Sequence, residues 1–147
     1  MIINDPLLFT VTVDKELKNN NVGRSAHWSS AHKQKKEWTN TLKKADVVTE
    51  TGLAFPLPAF IEEVLNGRPV QQKVGIAFKR VLGKRQRMFD SDSILRGNAK
   101  ELLDSLVDSG LLFDDNVKHV AWCIGLQDDS RKDQGPFTEL LFYGAAE

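Results

Sequence analysis

Four aspartates stand in two pairs, Asp90 with Asp92 and Asp114 with Asp115, on either side of a segment patterned as a helix. Asp90 and Asp92 are two apart at the end of a strand-like stretch, so extended backbone would point both carboxylates to one side. Asp114 and Asp115 follow a helix of about three turns, whose rise of about 1.5 Å per residue and closing turn can bring the chain back alongside the first pair. Carboxylates gathered in this way repel one another and need a counter-charge. Oxygen donors with a few waters are what Mg²⁺ or Mn²⁺ prefer. An ion held there lowers the pKa of a bound water for attack on a phosphodiester, and Lys100 or Arg96 could add positive charge to the transition state. The same residues have a plainer use. Asp-Ser-Asp-Ser before a helix is a capping composition and Asp-Asp-Asn is a turn, and spacing alone leaves both readings open. An EF-hand is excluded, because Ile94 and Leu95 occupy positions that need a ligand oxygen and a glycine.

The elements that must position these groups follow from periodicity. Leu7 to Val13 alternates and is rich in β-branched and aromatic residues, which predicts a strand, and Lys18 to Gly23 reads as a turn. Ser29 or Ser30 can cap a helix running through Ala31, Lys35, Trp38 and Leu42 to about Val48. Pro56 and Pro58 precede a short apolar run ended by Gly67, which predicts a brief helix within a Leu53 to Arg68 insert. Lys73 to Val81 alternates Val74, Ile76 and Phe78 as a strand. Between Asn98 and Ser109 lies the best-defined helix, with Leu102, Leu103, Leu106 and Val107 as its buried stripe. Asn98 and Glu101 resemble a capping box at its start, and Gly110 supplies its stop. His119 to Gly125 and Thr138 to Tyr143 are the remaining strands, joined by a polar hairpin loop from Gln127 to Gly135. These elements predict an α+β fold over residues 1–147: a single small domain with a mixed β-sheet of about four strands, two main helices in the order β-α-β-α-β-β, and a short helical insert.

Twenty basic and twenty acidic side chains cancel, so net charge gives no argument for a nucleic-acid partner, and the distribution must carry it. Arg24, Lys33, Lys35, Lys36, Lys43 and Lys44 meet only Glu37 over their stretch. Lys79, Arg80, Lys84, Arg85 and Arg87 meet no acid, whereas the aspartates gather later. A phosphate backbone could lie on such a basic surface beside a cation-holding acidic one, although charge runs are also simply solvated faces. Arg24, His27, Lys33, Lys36, Arg85, Arg87 and Arg96 are the candidate DNA contacts. Trp28 and Trp38 could stack on unpaired bases or serve the core, and Trp122 reads as core. A lone Cys123 in an apolar run reads as a structural thiol. His27, His32 and His119 lack zinc-site spacing, and no Ser-His-Asp signature, phosphate loop or dinucleotide fingerprint occurs. Without a basic, apolar leader or a run approaching twenty apolar residues, no membrane association is expected and a cytoplasmic location is the default.

The run from Phe89 to Val120 resembles the signature of the RusA-like family of Holliday-junction resolvases. There an Asp-x-Asp-Asn segment opens a helix patterned Lys-x-x-x-Asp-x-Leu, followed by a glycine turn, Asp-Asp and a strand. Asn21 to Trp28, followed by Lys33 to Trp38, is similar to the family's substrate-facing loop and first helix. The resemblance implies that Asp90, Asp92 and Asp115 hold Mg²⁺ or Mn²⁺, with Asp114 adjacent, and that Lys100 is the catalytic lysine. It further implies a homodimer that nicks four-way DNA junctions symmetrically in recombination and repair. Ser93 stands where the family has Asn, and Asp92 is farther from Lys100 than in the shortest members, so Arg96 or Lys100 could supply the cation. The alternative is a non-catalytic branched-DNA-binding module on the same fold.

Overall fold

The computed structural model describes residues 3–17, 28–88 and 99–145. In chain order they form β1 (Leu7–Val13), α1 (Trp28–Leu42), β2 (Asp46–Thr49), β3 (Ala54–Pro56), α2 (Leu57–Glu63), β4 (Val74–Val81), α3 (Ala99–Asp108), β5 (Val120–Asp128) and β6 (Phe137–Gly144). The six strands make one sheet in the order β3-β2-β1-β6-β4-β5. Neighbours are antiparallel except β4 and β5, which run parallel from Val74↔Val120 to Val81↔Asp128. The fold is therefore α+β, with one mixed sheet and three helices among the described residues. No helix among them is long and apolar enough to cross a membrane.

Alternation decides which face of the sheet is covered. Phe9, Val11 and Val13 of β1, Leu140 and Phe142 of β6, and Val74, Ile76 and Phe78 of β4 are buried with Trp38, Leu42, Leu57, Phe60, Leu102 and Leu106 of the helices. An aromatic row fixes this layer, with Phe9 4.8 Å from Phe60 and 4.6 Å from Phe142 between ring centroids. Helix α3 has Leu102 and Leu106 fully inside with Leu103 and Val107 packed beside them, as its stripe predicts, and Gly110 ends it in the left-handed region at φ +87°. Helices α1 and α3 lie against each other, with the hydroxyl of buried Ser105 2.9 Å from the carbonyl of Lys35 and 2.8 Å from that of Glu101. That one hydrogen serves both the helix's own turn and its neighbour.

Three expectations need correction. The sheet has six strands, because Asp46–Thr49 and Ala54–Pro56 pair as a hairpin closed through Gly52 at φ +88°. With only Val47 of their seven residues buried, these short strands carry almost no alternating signal. For the same reason α1 stops at Leu42, six residues before the expected end, and Trp28 already lies inside it, ahead of the serines expected to cap it. Trp122 is not core. It is half-buried on the face opposite the helices, its indole lying across Gly75, where an added Cβ would come within 1.9 Å of the ring. Its Nε1 donates to Asp5 Oδ2 at 3.1 Å, and its ring lies 5.5 Å from that of Tyr143.

At the far end of β5 the Asp128 carboxylate accepts hydrogen bonds from Ser130 Oγ (2.5 Å), Ser130 N (2.8 Å) and Arg131 Nε (2.9 Å), while Arg131 also pairs with Glu139. The Ser130 bonds first, and Arg131 after them, hold the Asp128 carboxyl down to about 2. A depressed carboxyl pKa stabilises the fold above the unfolded value near 4 and loses that contribution as pH falls through about 2. Asp128→Asn should therefore cost about 2 kcal/mol at neutral pH, with the deficit closing in urea melts at acid pH. Gly75→Ala should cost about 1–3 kcal/mol by displacing the Trp122 ring, read as a lower urea midpoint with unchanged slope.

Candidate functional site

A parallel pair cannot be closed by a hairpin, so β4 reaches β5 through a crossover containing α3. That crossover carries the acidic constellation. Lys100, in the first turn of α3, places Nζ 3.5 Å from Asp104 Oδ1 one turn on and 3.7 Å from Asp115 Oδ2 on the returning chain. Lys100 is largely exposed at 75% of its side-chain surface and Asp115 about one-third exposed at 32%, so the pair faces solvent and is open to a ligand. The expected meeting of the two aspartate pairs involves Asp90 and Asp92, which lie outside the described residues; what the fold brings together is Lys100 and Asp115.

The two adjacent aspartates do different work. Asp114 Oδ1 accepts the N–H of Asp115 at 2.7 Å and its Oδ2 accepts Asn116 Nδ2 at 3.1 Å, while Asn116 Oδ1 accepts the N–H of Lys118 at 3.0 Å. Asp114 and Asn116 therefore pin the turn, as the turn reading of Asp-Asp-Asn holds, and Asp115 is left facing Lys100. Behind Asp115 lies Cys123 of β5, packed against the core. Burial first, and the Asp115 carboxylate second, push its thiol up to about 11. Burial and the neighbouring negative charge both disfavour a thiolate, in keeping with a structural cysteine.

Asp90, Asp92, Ser93, Arg96, Arg24 and His27 lie outside the described residues. The last described residue before the first aspartate pair is Met88, and the chain reaches it through a hydrogen-bonded loop. Arg80, expected on the basic surface, is instead only 3% exposed. It occupies the inward register of Val74, Ile76 and Phe78, and its Nη1 donates to the carbonyl of Arg87 (2.8 Å) and to Gln127 Oε1 (3.2 Å). Burial lowers its pKa and Glu16 opposes that shift. Gln86 completes the clamp: its Oε1 accepts the N–H of Gly83 (2.7 Å), its Nε2 donates to Glu16, and its carbonyl accepts Lys132 Nζ (3.1 Å). Residues 83–87 are thereby tied to β4, β5 and the β5–β6 loop, three residues short of Asp90. Sequence reasoning missed Arg80 as a positioning residue, although an arginine in phase with three buried apolar residues was the signal.

Of the candidate DNA contacts that are described, Lys33 and Lys36 are exposed on α1, and Arg85 and Arg87 are exposed on the clamped loop. Lys35, between the first two, is instead paired with Asp108 of α3 at 3.1 Å. A shallow groove of about 310 Å³ lined by Lys35, Lys36, Thr39, Asn40 and Asp108 runs along the α1–α3 seam. No family model and no curated protein sequence matches this chain. Among the described residues no three His, Cys, Asp or Glu side chains form a metal-holding group, so a metal site here must draw on residues beyond Asp104 and Asp115.

In EDTA-containing buffer, Asp115→Asn should lower the pH at which Cys123 reacts with a thiol reagent below the wild-type midpoint near 11. An unchanged midpoint would mean that the Asp115 carboxylate does not face β5.

Proposed function

We propose that the chain is a RusA-like, metal-dependent endodeoxyribonuclease that resolves four-way DNA junctions by paired nicks, acting as a homodimer. The observation that carries this reading is the convergence of Lys100 and Asp115, 3.7 Å apart, on the crossover whose opening segment bears Asp90 and Asp92. Asp115 offers hard carboxylate oxygens, the donors that Mg²⁺ and Mn²⁺ take, and Asp90 and Asp92 would complete the set. When bound, the ion supplies Lewis acidity toward the phosphodiester and a nucleophile at neutral pH.

The chain's own groups then have distinct tasks. Lys100, exposed and held at the carboxylates by Asp104 and Asp115, would offset charge that develops on the reacting phosphate. Asp114 and Asn116 fix the turn that presents Asp115. Arg80 and Gln86 fix the loop that leads to Asp90, which matters because a misplacement of about 1 Å at reacting groups can cost about 10²-fold in rate. Lys33, Lys36, Arg85 and Arg87 would neutralise phosphates on either side, a sequence-independent term that weakens as salt rises.

The test is cleavage of a labelled synthetic four-way junction beside matched linear duplex, with Mg²⁺, Mn²⁺ or EDTA. Wild type should make paired, metal-dependent nicks in the junction alone. Asp92→Asn and Asp115→Asn should abolish them with binding retained, and Lys100→Ala should lower the rate by about 10²–10³-fold. Cleavage retained by Asp92→Asn would sink the assignment. Salt-sensitive junction binding without nicks by wild type would point to the non-catalytic module, and no binding at low salt would remove DNA from the function.

A further inference from the structure

The turn that presents Asp115 also presents two apolar side chains to solvent. Phe113 and Val117, each two residues from Asp115, are 65% and 78% exposed, more than any other large apolar side chain among the described residues. Two residues of chain span at most about 7 Å, so each side chain starts within that distance of Asp115. The segment is tied down along its length. Leu111 and Leu112 are buried just before it, the carbonyl of Leu111 accepts the N–H of Val70 at 3.0 Å, and Asp114 and Asn116 pin the turn with their own side chains. His119 closes it, its N–H donating to the carbonyl of Asn116 and its carbonyl accepting the N–H of Val74, both at 3.0 Å. Against this fixed residue rests the Phe113 ring, 5.0 Å between centroids and tilted by 42°. The imidazole covers one part of the phenyl ring, and most of the remainder meets water.

An aromatic ring held on one side and wet on the other is a stacking platform whose ordering cost was met on folding. Its surroundings indicate what stacks there. Asp114, Asp115, Asn116 and Lys118 separate the two apolar side chains, so the turn offers no contiguous apolar patch of the several hundred Å² that a protein partner covers. A single flat ring among charges fits a nucleotide, which joins a π face to a phosphate, and Lys100, 3.7 Å from Asp115, is the cation at hand. Inside a duplex both faces of each base are already stacked. A ring entering there must first unstack a step, whereas a branch point offers a base that has already lost a neighbour. We propose that Phe113 reads the branch: its ring stacks on such a base, beside the phosphate that Asp115 and Lys100 address, and gives four-way junctions their preference over linear duplex. Val117 has no π face and only lines the seat. The assignment rests on the DNA partner of the proposed function, not on cleavage.

The test is titration of a four-way junction and of matched linear duplex at one salt concentration in EDTA, where no strand is cut. Phe113→Ala should weaken junction binding by about 10- to 100-fold and leave duplex binding unchanged. Phe113→Trp should retain junction binding, whereas Phe113→Leu, apolar but without a π face, should lose it as alanine does. Leu53→Ala, which removes an exposed apolar side chain beside the β2–β3 turn, should change neither. An abasic scan through the junction centre puts the same question to the DNA: one position should cost the wild type a similar factor, and Phe113→Ala should lose nothing further there. Junction binding by Phe113→Ala or Phe113→Leu as tight as that of wild type overturns the stack, as does an abasic loss that adds in full to that of the variant. Equal losses on junction and duplex overturn its role in selectivity. Should Phe113→Ala misfold by circular dichroism, Phe113→Leu and the abasic scan still decide. Junction nicking by wild type beside any of these failures leaves the nuclease standing and removes only Phe113. Selective, Phe113-dependent binding without nicking upholds the stack and counts only against the nuclease, and no binding to either DNA removes both.

Discussion

Parallel pairing of β4 with β5 obliges the chain to leave one end of the sheet, cross a face and re-enter at the other, and the helix that makes that crossing carries the candidate chemistry. Lys100 opens the helix, Asp104 and Asp108 follow at successive turns, and Asp115 lies on the way back into β5. A hairpin in place of the crossover would remove every one of these groups. Burial of Leu102 and Leu106 against the sheet fixes which side of α3 is inward. It thereby fixes that Lys100 and its acidic neighbours face water.

Positioning at the other end of the crossover comes from a charge taken out of solvent. A guanidinium buried to the extent of Arg80 is costly unless its donors are used, and here two of the uses are a backbone carbonyl in the loop and a side-chain amide on β5. Such an arrangement confers definition on a short polar loop that apolar packing could not hold. The held loop ends three residues before the first aspartate pair in the sequence. Asp114 performs the equivalent task on the return path with nothing but local hydrogen bonds.

Legibility in the sequence tracked the amount of apolar periodicity each segment has. Helix α3, with two fully buried leucines and a left-handed glycine, was readable nearly to the residue, as were β4 and β6. Strands β2 and β3 were not, because a three- or four-residue strand with one buried side chain has no period to detect. Trp122 was misplaced because residue type suggests burial, whereas the register of β5 and the missing side chain of Gly75 give it a seat on the uncovered face. At the candidate site, helix length and a turn indicated that the chain returns beside its own start, but not that Asp115 would face Lys100 there. The division of labour between Asp114 and Asp115 did not, since two adjacent identical residues differ only in what the folded turn lets each oxygen reach.

The sheet order also governs when the fold can exist during synthesis. Strand β6 is the last of the described strands to be made, yet it lies between β1 and β4. Until it emerges from the ribosome, the β1–β2–β3 group and the β4–β5 group have no strand in common. Each must wait with one long flank open, and neither can complete the aromatic row, whose third member, Phe142, belongs to β6. The pairings that join the halves are therefore formed late and between residues far apart in the chain, the kind of contact that slows folding. Translation speed over the last segment thus sets how long two unfinished half-sheets remain exposed to other chains.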